Sequence, residues 1–179
     1  MKKLFKRFAI FAIMILGALQ LSGCYDFYDD FHKAGAQIEK DNCFTSVDLA
    51  QAKAKIDNKE TFVLVLATSA DSTSVSRISL LQEQSDYYEF DGKLFVLSIK
   101  DYCDTAAGRK DLRDNLGVKG FSNNLGGTDA VIVCYTKGEI TIDTSAKLSS
   151  DSLKPFVSGS SINYYSLAAY IFNDFDFSA

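Results

Sequence analysis

The chain has no tryptophan, one proline, two methionines and one histidine in 179 residues, and each shortage removes a class of explanation. His32 is the sole imidazole and follows the aromatic and acidic stretch 25–31, not a core-forming run. A Ser-His-Asp or Cys-His nucleophile needs its base held in a scaffold, which this position does not offer. Zinc sites gather several His or Cys at close spacing, and no such set is present. Gly-x-Gly-x-x-Gly and Walker-type loops are missing, so nucleotide binding has no phosphate cradle. Repeats and proline-rich linkers are missing too, which leaves the body of the chain without an internal boundary. The sequence predicts no metal, no nucleotide and no organic cofactor.

What the chain does have begins at its amino end. Lys2, Lys3, Lys6 and Arg7 precede an apolar run over 8–19, and Leu21-Ser22-Gly23-Cys24 closes it. This is the charge, apolar core and small-residue order of a secretory signal. The run is shorter than the roughly 20 residues of a membrane span, and no later segment reaches that length. The four closing residues resemble the lipobox of bacterial lipoprotein precursors. That resemblance implies cleavage before Cys24, lipidation of its sulfur, and a domain held on the extracytoplasmic face of a bacterial cell membrane, or at an outer membrane where the envelope has one. Two or more acyl chains make such attachment stable. Cleavage leaves 156 residues, a normal size for one domain, with 15 cations against 23 acids, a formal charge of −8. A chain so acidic does not bind nucleic acid by neutralising phosphates, and it does not adhere to anionic lipid by charge.

Beyond the anchor, residues 24–40 read as a tether. Residues 41–46 read as a short extended piece around Cys43 and Phe44, followed by a helix capped at Ser46, with Val47, Leu49, Ala50, Ala54 and Ile56 on one side and Asn58 at its end. Residues 61–67 are apolar without alternation, the mark of a strand covered on both faces. A helix carrying Val75, Ile78, Leu81 and Gln82 should follow and run to about Tyr87. A second buried strand is expected over 93–100. A helix over 106–116 should stop at Gly117, a usual place for a C-terminal glycine. A third apolar strand over 129–135, a tight turn at 136–139 and an antiparallel return over 140–143 complete the set. The pattern predicts an α/β sandwich built on a mixed sheet with a closing antiparallel hairpin. An added C-terminal helix is expected within 161–173, with Ile162, Tyr165, Ala169 and Phe172 at helical spacing and Tyr164, Leu167 and Ile171 widening the stripe.

Three stretches in this order resemble the thioredoxin superfamily over 41–157. Residues 60–67 (ETFVLVLA) resemble its central strand. Residues 116–121 (LGVKGF) resemble the element before its cis-proline. Residues 131–140, with Tyr135-Thr136-Lys137-Gly138-Glu139, resemble its closing hairpin, and 148–156 is similar to the approach to its last helix. Pro155 removes a backbone donor there, so that helix starts late or bends. The resemblance implies a three-layer thioredoxin-like sandwich over 41–157 with a helical extension over 158–179. Residues 56–63 are also similar to the run before the active loop of small exported proteins called bacteriocin transport accessory proteins.

The chain departs from that family where its chemistry lies. Asp71-Ser72-Thr73-Ser74 stands where thioredoxins carry Cys-x-x-Cys, and serine cannot replace a thiolate at neutral pH. Neither Asp129 nor Ala130 supplies the cis-proline. A glycine-bearing loop with Asn123, Asn124, Gly126, Gly127, Thr128 and Asp129 precedes the third strand instead. The tetrad reads either as a plain helix cap or as a repurposed recognition surface that works with this loop. Three thiols remain besides Cys24. The family's strand order implies that Cys43 and Cys103 are near enough for a structural bridge, while Cys134 reads as a small buried hydrophobe. The expected function is a membrane-anchored binding or accessory protein with a protein partner. The alternative is a thiol-disulfide oxidoreductase using Cys103 and Cys43, against which the acids flanking Cys103 argue by raising its pKa.

Overall fold

Phe62-Val63-Leu64-Val65-Leu66-Ala67 is apolar at every position, so a strand here needs cover on both faces. In the computed structural model, which describes residues 27–119 and 130–179, all six side chains are buried. In chain order the helices and strands are α1 (Phe27–Lys33), β1 (Phe44–Ser46), α2 (Leu49–Asp57), β2 (Phe62–Ala67), α3 (Ser72–Tyr87), β3 (Leu94–Ser98), α4 (Lys100–Cys103), α5 (Ala106–Leu116), β4 (Val131–Thr136), β5 (Glu139–Asp143), β6 (Val157–Ser158), β7 (Ser161–Ile162) and α6 (Tyr164–Ala169).

Five strands form one mixed sheet in the order β1-β3-β2-β4-β5. β3 runs parallel to both β1 and β2, β4 is antiparallel to β2, and β5 is antiparallel to β4. Because side chains alternate across a strand, β2 supplies both cores. Val63, Val65 and Ala67 face a cluster that includes Phe31 of α1, Ile78 of α3 and Leu167 of α6. Phe62, Leu64 and Leu66 face a second cluster with Ala52 of α2 and Leu112 and Leu116 of α5. The molecule is thus an α/β fold with helices on both faces of a mixed sheet.

Local chemistry sets the boundaries. α2 begins at Asp48, not at Ser46, because Asp48 forms a capping box in which its carboxylate accepts from Gln51 N and Gln51 Oε1 accepts from Asp48 N. Its buried residue is Ala52, and the expected face shifts accordingly, with Ala50 and Ala54 exposed. α5 ends where expected, at Gly117, whose φ of 71° lets its N–H reach back to Arg113 O at 2.8 Å. The β4–β5 turn places Lys137 and Gly138 at φ 52° and 77°, as a two-residue hairpin requires.

From Phe27 onward, the segment expected to be a tether is folded instead. Phe27 and Phe31, one helical turn apart, are 6% and 0% exposed, and their rings lie 4.7 Å apart. Asp29, Asp30 and Lys33 take the outer side of α1. Ala36 and Ile38 are buried as well, so the segment 27–38 packs on the core through Phe27, Phe31, Ala36 and Ile38. At the other end Pro155 sits in the first turn of a short 3-10 helix, Lys154–Phe156, where its missing donor costs least. α6 follows and widens into a π turn over Tyr170–Asp174, closed by Phe175 N donating to Tyr170 O at 2.8 Å. Ile171 and Phe172 are buried one turn beyond Leu167 and Ala168, on the expected inner side, while Tyr165, expected on the same stripe, is 57% exposed.

Candidate functional site at the carboxyl ends of the parallel strands

In open α/β sheets the exits of the parallel strands gather the loops that meet ligands. Here β2 opens into Thr68–Asp71, β3 opens into α4, and β5, which runs with them, ends at Asp143. Leu66 pairs with Val131, which sets the buried Ala130 beside the β2 exit.

Asp71 caps α3. Its carboxylate accepts from Thr73 N at 2.9 Å and Ser74 N at 3.1 Å, satisfying two of the free donors of the first turn. The buried Ser74 hydroxyl accepts from Thr68 N at 2.9 Å and so ties the helix tip to the end of β2. Thr68 Oγ1 in turn accepts from Ala70 N. The tetrad therefore divides: Asp71 and Ser74 hold the loop together, and Ser72 and Thr73 are exposed. The loop residues Asn123, Asn124, Gly126, Gly127, Thr128 and Asp129 lie outside the described residues, as does Cys24.

Cys103 is the thiol at this end of the sheet, half-buried at the close of α4. Burial pushes its thiol up, the Arg109 guanidinium opposes that, and Asp104 adds to it. The acids were the expected cause, and desolvation is the larger one. Arg109 also donates to the Cys103 carbonyl, which fixes the start of α5 against α4.

The expected Cys43–Cys103 bridge is not formed, and Cys43, Cys103 and Cys134 are all free thiols. The register gives the reason. Phe44 pairs with Leu94, and Leu94 N donates to Cys43 O at 2.7 Å, so Cys43 lies where β3 starts. Cys103 lies beyond where β3 ends, about 13 Å further along at ~3.3 Å per residue. A disulfide needs Cα atoms within about 7 Å. Burial, partly offset by a hydrogen bond with Ser85, pushes the Cys43 thiol up to about 11. Burial alone pushes Cys134 far above the ordinary thiol range.

Next to Asp143 the same end of the sheet opens a cavity of about 590 Å3, lined in part by Lys119, Thr141, Ser145, Lys147 and Ser150. The buried Asp143 carboxylate accepts from Lys119 N at 3.1 Å, from Ser145 N at 2.9 Å and from the Ser145 hydroxyl. The buried Ser150 hydroxyl has no hydrogen-bond partner among the described residues. Sequence reading missed this cavity, because β5 and the irregular segment after it assemble it without any spacing to betray it. Among the described residues no group of three or more His, Cys, Asp and Glu is placed to hold a metal, and no helix is long and apolar enough to cross a membrane. No protein-family model matches this chain, and no curated protein is significantly similar to it in sequence.

Proposed function

We propose that this chain is an exported, lipid-anchored binding or accessory protein with a thioredoxin-like fold and no dithiol exchange at the family's usual place. Its setting is an envelope assembly such as a secretion or bacteriocin-export machine. The strand order β1-β3-β2-β4-β5, with β4 reversed and helices on both faces, supports the fold reading. The signal-like amino end and Leu21-Ser22-Gly23-Cys24 support the anchoring.

The observation that carries the functional reading is the occupation of the α3 tip. Where exchange would need a thiolate and a resolving thiol, the inner positions are an aspartate and a serine already committed to backbone donors. The exposed hydroxyls of Ser72 and Thr73 remain as a polar contact surface for a protein partner. Cys103 at the same end of the sheet favours the second reading, an oxidoreductase with a relocated thiol. Against it stand the raised pKa of that thiol and the distance to Cys43.

Crosslinking in the native cell, with captured proteins identified for the natural chain and for a Cys43→Ser, Cys103→Ser, Cys134→Ser triple variant, separates the two. The binding reading expects the same partner from both and no insulin-disulfide reduction by either. Loss of the partner in the triple variant, or disulfide exchange that vanishes with Cys103→Ser alone, would overturn it.

A further inference from the structure

Lipidation at Cys24, which this inference takes from the function proposed above, would act on a domain with almost no slack. Three peptide steps separate Cys24 from Phe27, a reach of at most about 11 Å. Phe27 is 6% exposed and packs 5.1 Å from the Phe44 ring at the start of β1. Phe31, one turn on, is wholly buried. Gln37 N donates to Ser79 Oγ at 2.9 Å and ties the segment after α1 to the middle of α3. The anchor therefore leads straight into the core.

It also enters at a definite end of the molecule. Tyr28 and His32, stacked at 5.0 Å, line one cavity with Gln82 and Asp86 on the last two turns of α3. Those residues lie about 15 to 21 Å along the helix from Ser72, at 1.5 Å per residue. The exposed hydroxyls of the tetrad are at the opposite tip.

We infer that the anchored protein sits directly on the bilayer with α1 beside the headgroups, and that the Asp71–Ser74 end of the sheet faces away from the membrane. The short reach sets this orientation. Charge does not, since α1 carries Asp29 and Asp30 on its outer side and the cleaved chain is formally −8. A partner that meets the tetrad then stands about one domain diameter above the lipid surface.

The chain's lack of tryptophan makes a clean optical test. Lys33→Trp on α1 and Ser72→Trp at the α3 tip, both at exposed positions, are made separately in the full chain. The lipidated proteins are purified from membranes and placed in phosphatidylcholine vesicles with dansyl-labelled headgroups. Energy transfer from the indole of the Lys33→Trp variant should exceed that from the Ser72→Trp variant severalfold and stay constant as salt is raised. A long Gly-Ser insertion between Asp26 and Phe27 should erase the difference. Flotation with vesicles is measured alongside for the natural chain and for Cys24→Ser. Flotation that persists in Cys24→Ser overturns the anchoring reading and this inference with it. Flotation that depends on Cys24, with equal transfer from the two probes or more from the one at the α3 tip, overturns the orientation alone.

Discussion

The two faces of the sheet are built from different parts of the chain. One face receives α2 and α5, the crossover between β1 and β2 and the helix after β3, and its core is largely aliphatic around the stacked Phe62 and Tyr135 rings, 4.7 Å apart. The other face receives α3 and then is covered by the first and last described segments. These bring Phe27 and Phe31 from one side and Phe172 and Phe175 from the other into a single cluster. Phe90 joins the halves, with its ring 5.1 Å from Phe172 and 5.2 Å from Phe177. The aliphatic face is closed by short-range connections, and the aromatic face by contacts distant in sequence. Large rings suit the second task, because each buries much area from few ordered residues.

Substitutions on the two faces sharpen that contrast. The largest loss is expected for Phe31→Ala, about 3 to 5 kcal/mol by urea unfolding, since a wholly buried ring leaves a cavity behind. A midpoint unchanged from the natural chain would mean that α1 is a tether after all. Leu112→Ala, equally buried on the aliphatic face, should cost about 3 kcal/mol in the same assay, with α1 still protected from amide exchange. Asp71→Ala at the candidate site removes the carboxylate that accepts from two backbone N–H groups and should cost about 1 kcal/mol, while Asp71→Asn should recover most of it.

At neutral pH the Cys43 thiol contributes the least. Its pKa is raised on folding from 9.0 to about 11, so the native state holds the proton more tightly than the unfolded chain does. Stability on this account is intact below pH 9 and is lost as pH rises from 9 towards 11. Cys43→Ala should flatten that part of the stability curve. An unchanged alkaline slope in the variant would assign the loss to other groups.

Sequence pattern captured the elements whose cause is local. The all-apolar Phe62–Ala67, the helix that stops at Gly117, the hairpin turn at Lys137 and Gly138 and the cap at Asp71 each carry their reason within a few residues. The α1 half of the aromatic face departs from the expected tether because its signal is split. Phe27 and Phe31 stand at helical spacing, yet the acids between them look like linker until Phe44 and Ile78 are known to lie beneath. On the last helix Leu167, Ile171 and Phe172 are buried on the expected stripe, and Tyr165 is not, because Tyr164 and Tyr165 are adjacent rings and pattern alone does not say which one turns to the core. At the candidate site the cap was legible from residue type. The division between inward Asp71 and Ser74 and outward Ser72 and Thr73 depends on the Thr68 amide, a contact that only the fold defines.

The placement of the three free thiols carries a consequence for biogenesis. Cys43, just before β1, and Cys134 on β4 are three strand spacings apart, about 14 Å. Cys103 packs on the other face of the sheet from Cys134 and at the other end from Cys43. No two of them can join within the native fold. If the chain is exported as proposed above, every intramolecular bond among them would be a trap on the way to the folded state, and the yield of native protein would be a race between collapse of the sheet and the local oxidant.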